Sequence, residues 1–178
     1  MTKKETSLLE AARLIACPVT LLTALSKVED RAMISSISYA NLEPLILATT
    51  LARTSNTGRT ILESRAMAVS LIAEQDLDKV EKLSTSTATD KLKDAGFSIG
   101  RLENGLAYAV DALAVFDVEI IEQVQLEKYI AVMARVHQVL INDRDAGAAL
   151  PLIRYNRSWT TINRDSLQKG LAIDHYPV

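Results

Sequence analysis

Cysteine and histidine are nearly missing from this 178-residue sequence: Cys17 is the single cysteine, and His137 and His175 are the two histidines. One cysteine closes no disulfide within the chain and builds no cysteine-rich zinc cluster. Neither histidine has a carboxylate at helical spacing or a serine in a nucleophile motif beside it, so triad and metal-dependent hydrolysis lose most of their support and no metal site is expected. Cys17 precedes Pro18 and an apolar run, which reads as a small buried hydrophobe at the opening of a strand, with a reactive thiol as the alternative. His137 lies among Val136 and Val139 and reads as an outward-facing or hydrogen-bonded structural residue, while His175 sits in a polar tail.

An excess of one charge is also missing. The 20 Lys and Arg against 22 Asp and Glu leave a formal charge of -2, and no basic run offers a nucleic-acid footprint. No long hydrophobic run occurs either: stretches such as 45–48 and 112–116 fall far short of the roughly 20 residues of a membrane span. The charged start Met1-Thr2-Lys3-Lys4-Glu5 is not followed by an apolar segment with a small-residue cleavage site, so the expectation is a cytoplasmic protein without membrane or nucleic-acid partners. What is present is a composition 48% hydrophobic and 24% charged, enough for a sizeable core and for one domain spanning 1–178.

Ser7 and Glu10 have capping-box spacing, and Leu8, Leu9, Ala12, Leu14 and Ile15 then recur at helical intervals, predicting a helix within 1–15. Residues 19–25 and 32–38 are β-branched and aliphatic around a polar 26–31 loop that lacks glycine, predicting a hairpin. The nearly continuous apolar run 45–51 reads as a buried strand, followed by a brief helix at 60–64 and a strand at 66–72. Leu77, Val80 and Leu83 mark an amphipathic helix over 76–83; Ser84-Thr85-Ser86-Thr87-Ala88-Thr89 is a polar linker or lid candidate, and 90–95 adds a helical turn stopped by Gly96. Strands follow at 106–110, 114–124, 129–141 and 150–155, with one wet face where polar and apolar residues alternate. The fold class is mainly β: a mostly antiparallel barrel of about six strands over 16–160 with peripheral helices, and a tail over 161–178.

Two polar clusters flank the 45–51 strand: Ser35-Ser36 with Ser38 before it, and Arg53 with Ser55-Asn56-Thr57 after it. Placed at one end of a sheet, the second cluster opens a helix, whose free N–H groups, hydroxyls and guanidinium suit a phosphate. The same residue types are also ordinary helix caps, and both readings stay open on composition.

The order and spacing of these segments resemble the flavin reductase-like family of FMN-binding split barrels. Cys17-Pro18-Val19-Thr20-Leu21-Leu22-Thr23 is similar to that family's first barrel strand, and Met33-Ile34-Ser35-Ser36-Ile37-Ser38-Tyr39-Ala40-Asn41-Leu42-Glu43-Pro44-Leu45 resembles its Ser-Ser stretch ending in Leu-Glu-Pro. Thr50-Leu51-Ala52-Arg53-Thr54-Ser55-Asn56-Thr57 resembles its strand end and Ser-x-Thr phosphate loop. Ala134-Arg135-Val136 looks like its Gly-Arg-Val strand, and Pro151-Leu152-Ile153-Arg154-Tyr155 like its closing strand. The resemblance implies that Ser35 and Ser36, with the backbone of Met33 and Ile34, line the flavin ring and ribityl chain. Thr50, Leu51 and Ala52 would edge the flavin, and Ser55, Asn56 and Thr57, with Arg53, would hold the FMN phosphate. It further implies a homodimer with FMN near the interface and an oxidoreductase that passes hydride from NADH or NADPH through FMN to free flavin or another small acceptor. Such chemistry belongs largely to the cofactor, so the scarcity of histidine is no obstacle and no catalytic side chain is assigned.

The sequence departs from the family where many members carry Gly-Asp-His: here the stretch reads Glu127-Lys128-Tyr129, and Tyr129 either replaces that histidine or packs at a rim. Met33 stands where a hydroxyl is common, and Leu45 where a second proline is common. These changes favour a non-enzymatic FMN-binding protein or electron carrier as the alternative, and a barrel that has lost flavin is the third reading. With eight aromatic residues in the chain, Tyr155 and Trp159 read first as core, with an interface or a ligand stack as the other role.

Overall fold

In a computed structural model, which describes residues 8–26, 29–88, 90–142 and 149–162, a seven-stranded antiparallel sheet organises the chain. Its strands are β2 (Thr20–Leu25), β3 (Asp30–Ser35), β4 (Ser38–Leu42), β5 (Leu45–Ala52), β6 (Ala66–Leu71), β9 (Ala114–Gln125) and β10 (Tyr129–Ile141), in the order β3-β2-β6-β9-β10-β5-β4. A second sheet joins β1 (Cys17–Pro18), β11 (Ile153–Tyr155) and β12 (Ser158–Thr160), and a third pairs β7 (Ile99–Arg101) with β8 (Ala107–Ala109). The helices are α1 (Leu8–Ala12), α2 (Asn56–Ser64), α3 (Leu77–Thr85), preceded by a 3-10 turn over Glu74–Asp76, and α4 (Lys91–Ala95).

Alternation along the strands builds two cores. Leu22 and Ala24 of β2, Met67 and Val69 of β6, Val118 and Ile120 of β9, and Val132 and Ala134 of β10 fill the barrel interior with Leu47, Leu51 and Ile61. Leu21, Ala68 and Val115 face the other way and pack with Val80, Leu83, Leu92 and Leu106 from the outer elements. Burial on both faces explains why β2 reads as a continuous apolar run. Thr23 of β2 donates to the carbonyl of Ala107, and Ser70 of β6 accepts from Ala109 N–H at 3.2 Å, fixing β8 over the sheet.

The barrel is not closed by a backbone ladder. The sheet ends at β3 and β4, and side chains bridge from β3 to β5. Thr49 Oγ1 donates to the Ser36 carbonyl at 2.7 Å, and because that uses its only proton, Ser35 Oγ is the donor in the 3.1 Å contact with Thr49 Oγ1. The architecture is thus a split barrel, with a seven-stranded sheet where about six strands were expected.

The 45–51 and 66–72 strands and the two long strands form where expected, and the hairpin forms with its second strand at Asp30–Ser35 instead of 32–38. The helix after β5 begins four residues earlier, at Asn56, and α3 runs to Thr85, so two residues of the expected polar linker are helical. Gly96, at φ 84°, ends α4 as predicted. Three short strands, β4, β7 and β12, were not expected, and the strand opening expected at Cys17 is a separate strand, β1, in the second sheet. His137 is exposed, with Nε2 3.2 Å from Glu119 Oε2 on the neighbouring strand. The Ser7 cap, hairpin-loop residues 27–28, residue 89 and the tail from 163 with His175 lie outside the described residues. Among the described residues, no helix is long and apolar enough to cross a membrane.

Candidate functional site

Two adjoining clefts open beside the end of β3. The first, of about 810 Å³, is walled by Met33, Ile34, Ser35 and Ser36 of β3 and its exit, Thr50 and Ala52 of β5, and Tyr129 of β10. Its opposite wall comes from β1 and the β11–β12 hairpin, and Ser84 of α3 closes one side. The second, of about 700 Å³, shares Met33, Ile34 and Ser84 with the first and runs to Ser55, Asn56 and Thr57 at the start of α2. Both volumes fall in the ~300–1,000 Å³ range of small-molecule sites.

The α2 start is held in place by its own side chains. Ser55 is the N-cap, its Oγ accepting from Gly58 N–H at 3.1 Å, so the capping reading holds for this residue. Thr57, buried, donates its hydroxyl to the Ala32 carbonyl at 3.0 Å and pins the helix to β3. Asn56 accepts from the guanidinium of Arg59. Gly58 permits the tight turn out of β5, since a Cβ there would sit 3.1 Å from the Ala52 carbonyl oxygen. With the hydroxyls engaged, the groups that remain for an anion are the first backbone N–H groups of the helix, which have no intrahelical acceptor.

Charge in the second cleft is mixed but ordered. Glu29 and Asp30 line it together with Arg31 and Lys91. Arg31 pairs with Glu29 at 2.6 Å, and Asp30 is held by Arg101 of β7 in a two-bond fork of 2.7 and 2.6 Å. That hydrogen bond to Asp30 raises the Arg101 pKa above its ordinary value. Both carboxylates are therefore matched, and Lys91 and the helix start supply the positive potential facing the cleft.

Of the expected flavin-site residues, Met33, Ile34, Ser35, Ser36, Thr50 and Ala52 line the first cleft, and Ser55, Asn56 and Thr57 the second. Leu51 is fully buried in the barrel core, and Arg53 is exposed and lines neither cleft. Cys17 is not the buried hydrophobe expected of it: it is half-buried in the cleft wall. Tyr129, about half exposed, stands at the rim opposite Ala52, and Trp159 lines the cleft. The Ser/Thr segment expected as a linker or lid contributes Ser84, Thr87 and Ala88 to the second cleft. Sequence reasoning missed Arg31, which lies two positions before Met33 on the same strand, and Lys91, brought in by α4.

An antiparallel sheet curled into a side-chain-bridged barrel, with a long cleft along its open seam that ends at a helix start, defines the split-barrel class. The chain belongs to the family described as the flavin reductase like domain, whose model matches residues 12–163. Among solved structures it is similar to nitrilotriacetate monooxygenase component B homolog from Mycobacterium thermoresistibile, at 17% identity and TM-score 0.81 over 89% of this chain and 87% of that one. It is similar also to the styrene monooxygenase flavin reductase of Pseudomonas putida S12, at 18% identity and TM-score 0.77, covering 89% and 98%. A Streptomyces globisporus NADH:FAD oxidoreductase in complex with NAD and FAD fragments aligns at 13% identity and TM-score 0.79, covering 89% and 93%. At these identities the likeness is one of fold. No curated protein matches the chain in sequence.

Proposed function

We propose that the chain is an NAD(P)H-dependent flavin reductase that holds FMN along the two joined clefts. The observation that carries this reading is the continuity of the clefts through Met33, Ile34 and Ser84, from a broad, mixed-polarity space to the anion-suited start of α2. A flat ring in the first cleft and a terminal phosphate at the second would use both ends of one site. The α2 N–H groups and Lys91 hold the phosphate. Ser35 and Ser36 orient the polar edge of the ring, while Met33 and Ile34 exclude water along its apolar length. Bound flavin supplies the hydride acceptance and donation; the chain supplies binding, orientation and a dry wall.

The proposal includes a homodimer. β4 is exposed along its whole length at one edge of the sheet, and Tyr39, Leu42, Val124 and Met133 present apolar surface on it and on β9 and β10. A shallow apolar cleft of about 300 Å³ in this region shares Cys17, Ser36 and Thr50 with the first cleft, so a second copy seated there would reach the flavin. We also place the protein in the cytoplasm.

The second reading, an FMN carrier without nicotinamide turnover, is favoured by Tyr129 standing at the cleft rim in place of the family's histidine. Following nicotinamide oxidation with free FMN as acceptor separates the two. Flavin-dependent oxidation of NADH or NADPH is expected, and bound FMN with no oxidation would favour the carrier.

A further inference from the structure

The wall facing β3 across the first cleft is cationic. Arg13, Arg154 and Arg157 line it, and none of the described residues lining that cleft is Asp or Glu, although the chain carries 22 acidic residues. None of the ion pairs among the described residues involves these three arginines. The wall is built from two segments: Asn156 N–H donates to the Arg13 carbonyl at 2.8 Å, docking the turn after α1 onto the β11–β12 hairpin. Arg154 lies over the Trp159 ring, 4.4 Å from its centroid, a cation–π contact that fixes the guanidinium at the cleft wall.

The hairpin itself is unusual. Tyr155 pairs with Ser158, so the loop consists of Asn156 and Arg157, at φ 46° and 68°. Two-residue loops of this hand favour Asn followed by Gly, because both positions have left-handed backbone. Asn156 suits its position; Arg157 stands where glycine is the unstrained choice, and its side chain lines the cleft. Backbone strain of this kind at a cleft points to a role for the side chain that bears it.

We propose that Arg13, Arg154 and Arg157 form a second phosphate-binding wall, separate from the α2 start, that holds the phosphates of the dinucleotide donor. This rests on the reductase reading, in which a nicotinamide must reach the flavin ring through the same cleft. The wall anchors the donor's phosphates by charge-assisted bonds, and Trp159 holds the Arg154 guanidinium in place at the wall.

Trp159 is the only tryptophan, so its emission reports occupancy of this wall in the full chain. Titration with ADP should change that emission, and adenosine, which lacks the phosphates, should bind much more weakly. Arg157→Gly should weaken ADP binding about tenfold with an equal or higher Tm, because it relieves the left-handed arginine. Arg13→Ala should weaken ADP in the same direction. Ser55→Asp, at the α2 start, should leave ADP binding unchanged. ADP binding no tighter than adenosine, or unaffected by Arg157→Gly and Arg13→Ala, would overturn the proposal. Loss of ADP binding in Ser55→Asp would overturn it too, by placing the phosphates at α2. Because none of these readings needs bound FMN or donor oxidation, failure here is distinct from failure of the reductase reading.

Discussion

Ser55→Asp puts one negative charge at the α2 start without removing the cap, because aspartate is as good an N-cap as serine and can take over the hydrogen bond from Gly58 N–H. Folding should be nearly unaffected, and the negative charge even suits the helix dipole. The cost falls on a bound phosphate. At a separation of about 5 Å, two unit charges repel by ~0.8 kcal/mol in bulk water and ~3 kcal/mol at an effective dielectric of 20. For a dianion in a half-open cleft, about 2–4 kcal/mol follows, or roughly a 30- to 1,000-fold loss of FMN affinity. The assay is quenching of FMN fluorescence on titration, with thermal melts of both proteins as control. Unchanged FMN affinity at unchanged Tm would remove the α2 start from the site and refute the reasoning.

Four further outcomes are expected. Lys91→Ala should weaken FMN by up to about fivefold in the same titration, the scale of one exposed charge; an unchanged constant would leave the phosphate to backbone groups alone. Thr57→Val, which removes the buried donor to Ala32 O, should cost about 1–3 kcal/mol of stability in urea melts, and a cost near zero would deny that this bond pins α2. Met133→Lys on the exposed β10 face should shift the protein to monomer in sedimentation, and a wild-type monomer would contradict the dimer. Lys79, whose pKa is raised above 10.5 chiefly by its hydrogen bond to Asp76, is stabilising below that value and loses its contribution as pH rises through the higher folded value. Lys79→Met should therefore flatten the alkaline limb of a stability profile, and an identical limb would count against the pair.

The elements that could be read from sequence are those whose side chains face a core. β2, β5 and β6 carry buried aliphatics, and the long β9 and β10 alternate over a wet face. β4 was not visible because all five of its residues are exposed, leaving no apolar period to detect. β1, β7 and β12 are two or three residues long and exist through partners distant in sequence, as Cys17 does through Arg154. The site divides in the same way. Met33 to Ser36 and Ser55 to Thr57 flank the β4–β5 hairpin, so local order brings them together, whereas Arg13, Lys91 and Arg157 arrive on separate elements. Ser55 shows why composition left two readings of the loop: the hydroxyl that caps the helix is also what marks it as a phosphate site.

The central claim is tested most directly by the visible spectrum of the protein after FMN loading and desalting, followed by anaerobic NADH and then NADPH. Retained flavin that bleaches with a nicotinamide is the predicted result. A protein that saturates with FMN yet stays yellow with both donors, or one that shows no FMN binding by equilibrium titration, would contradict it.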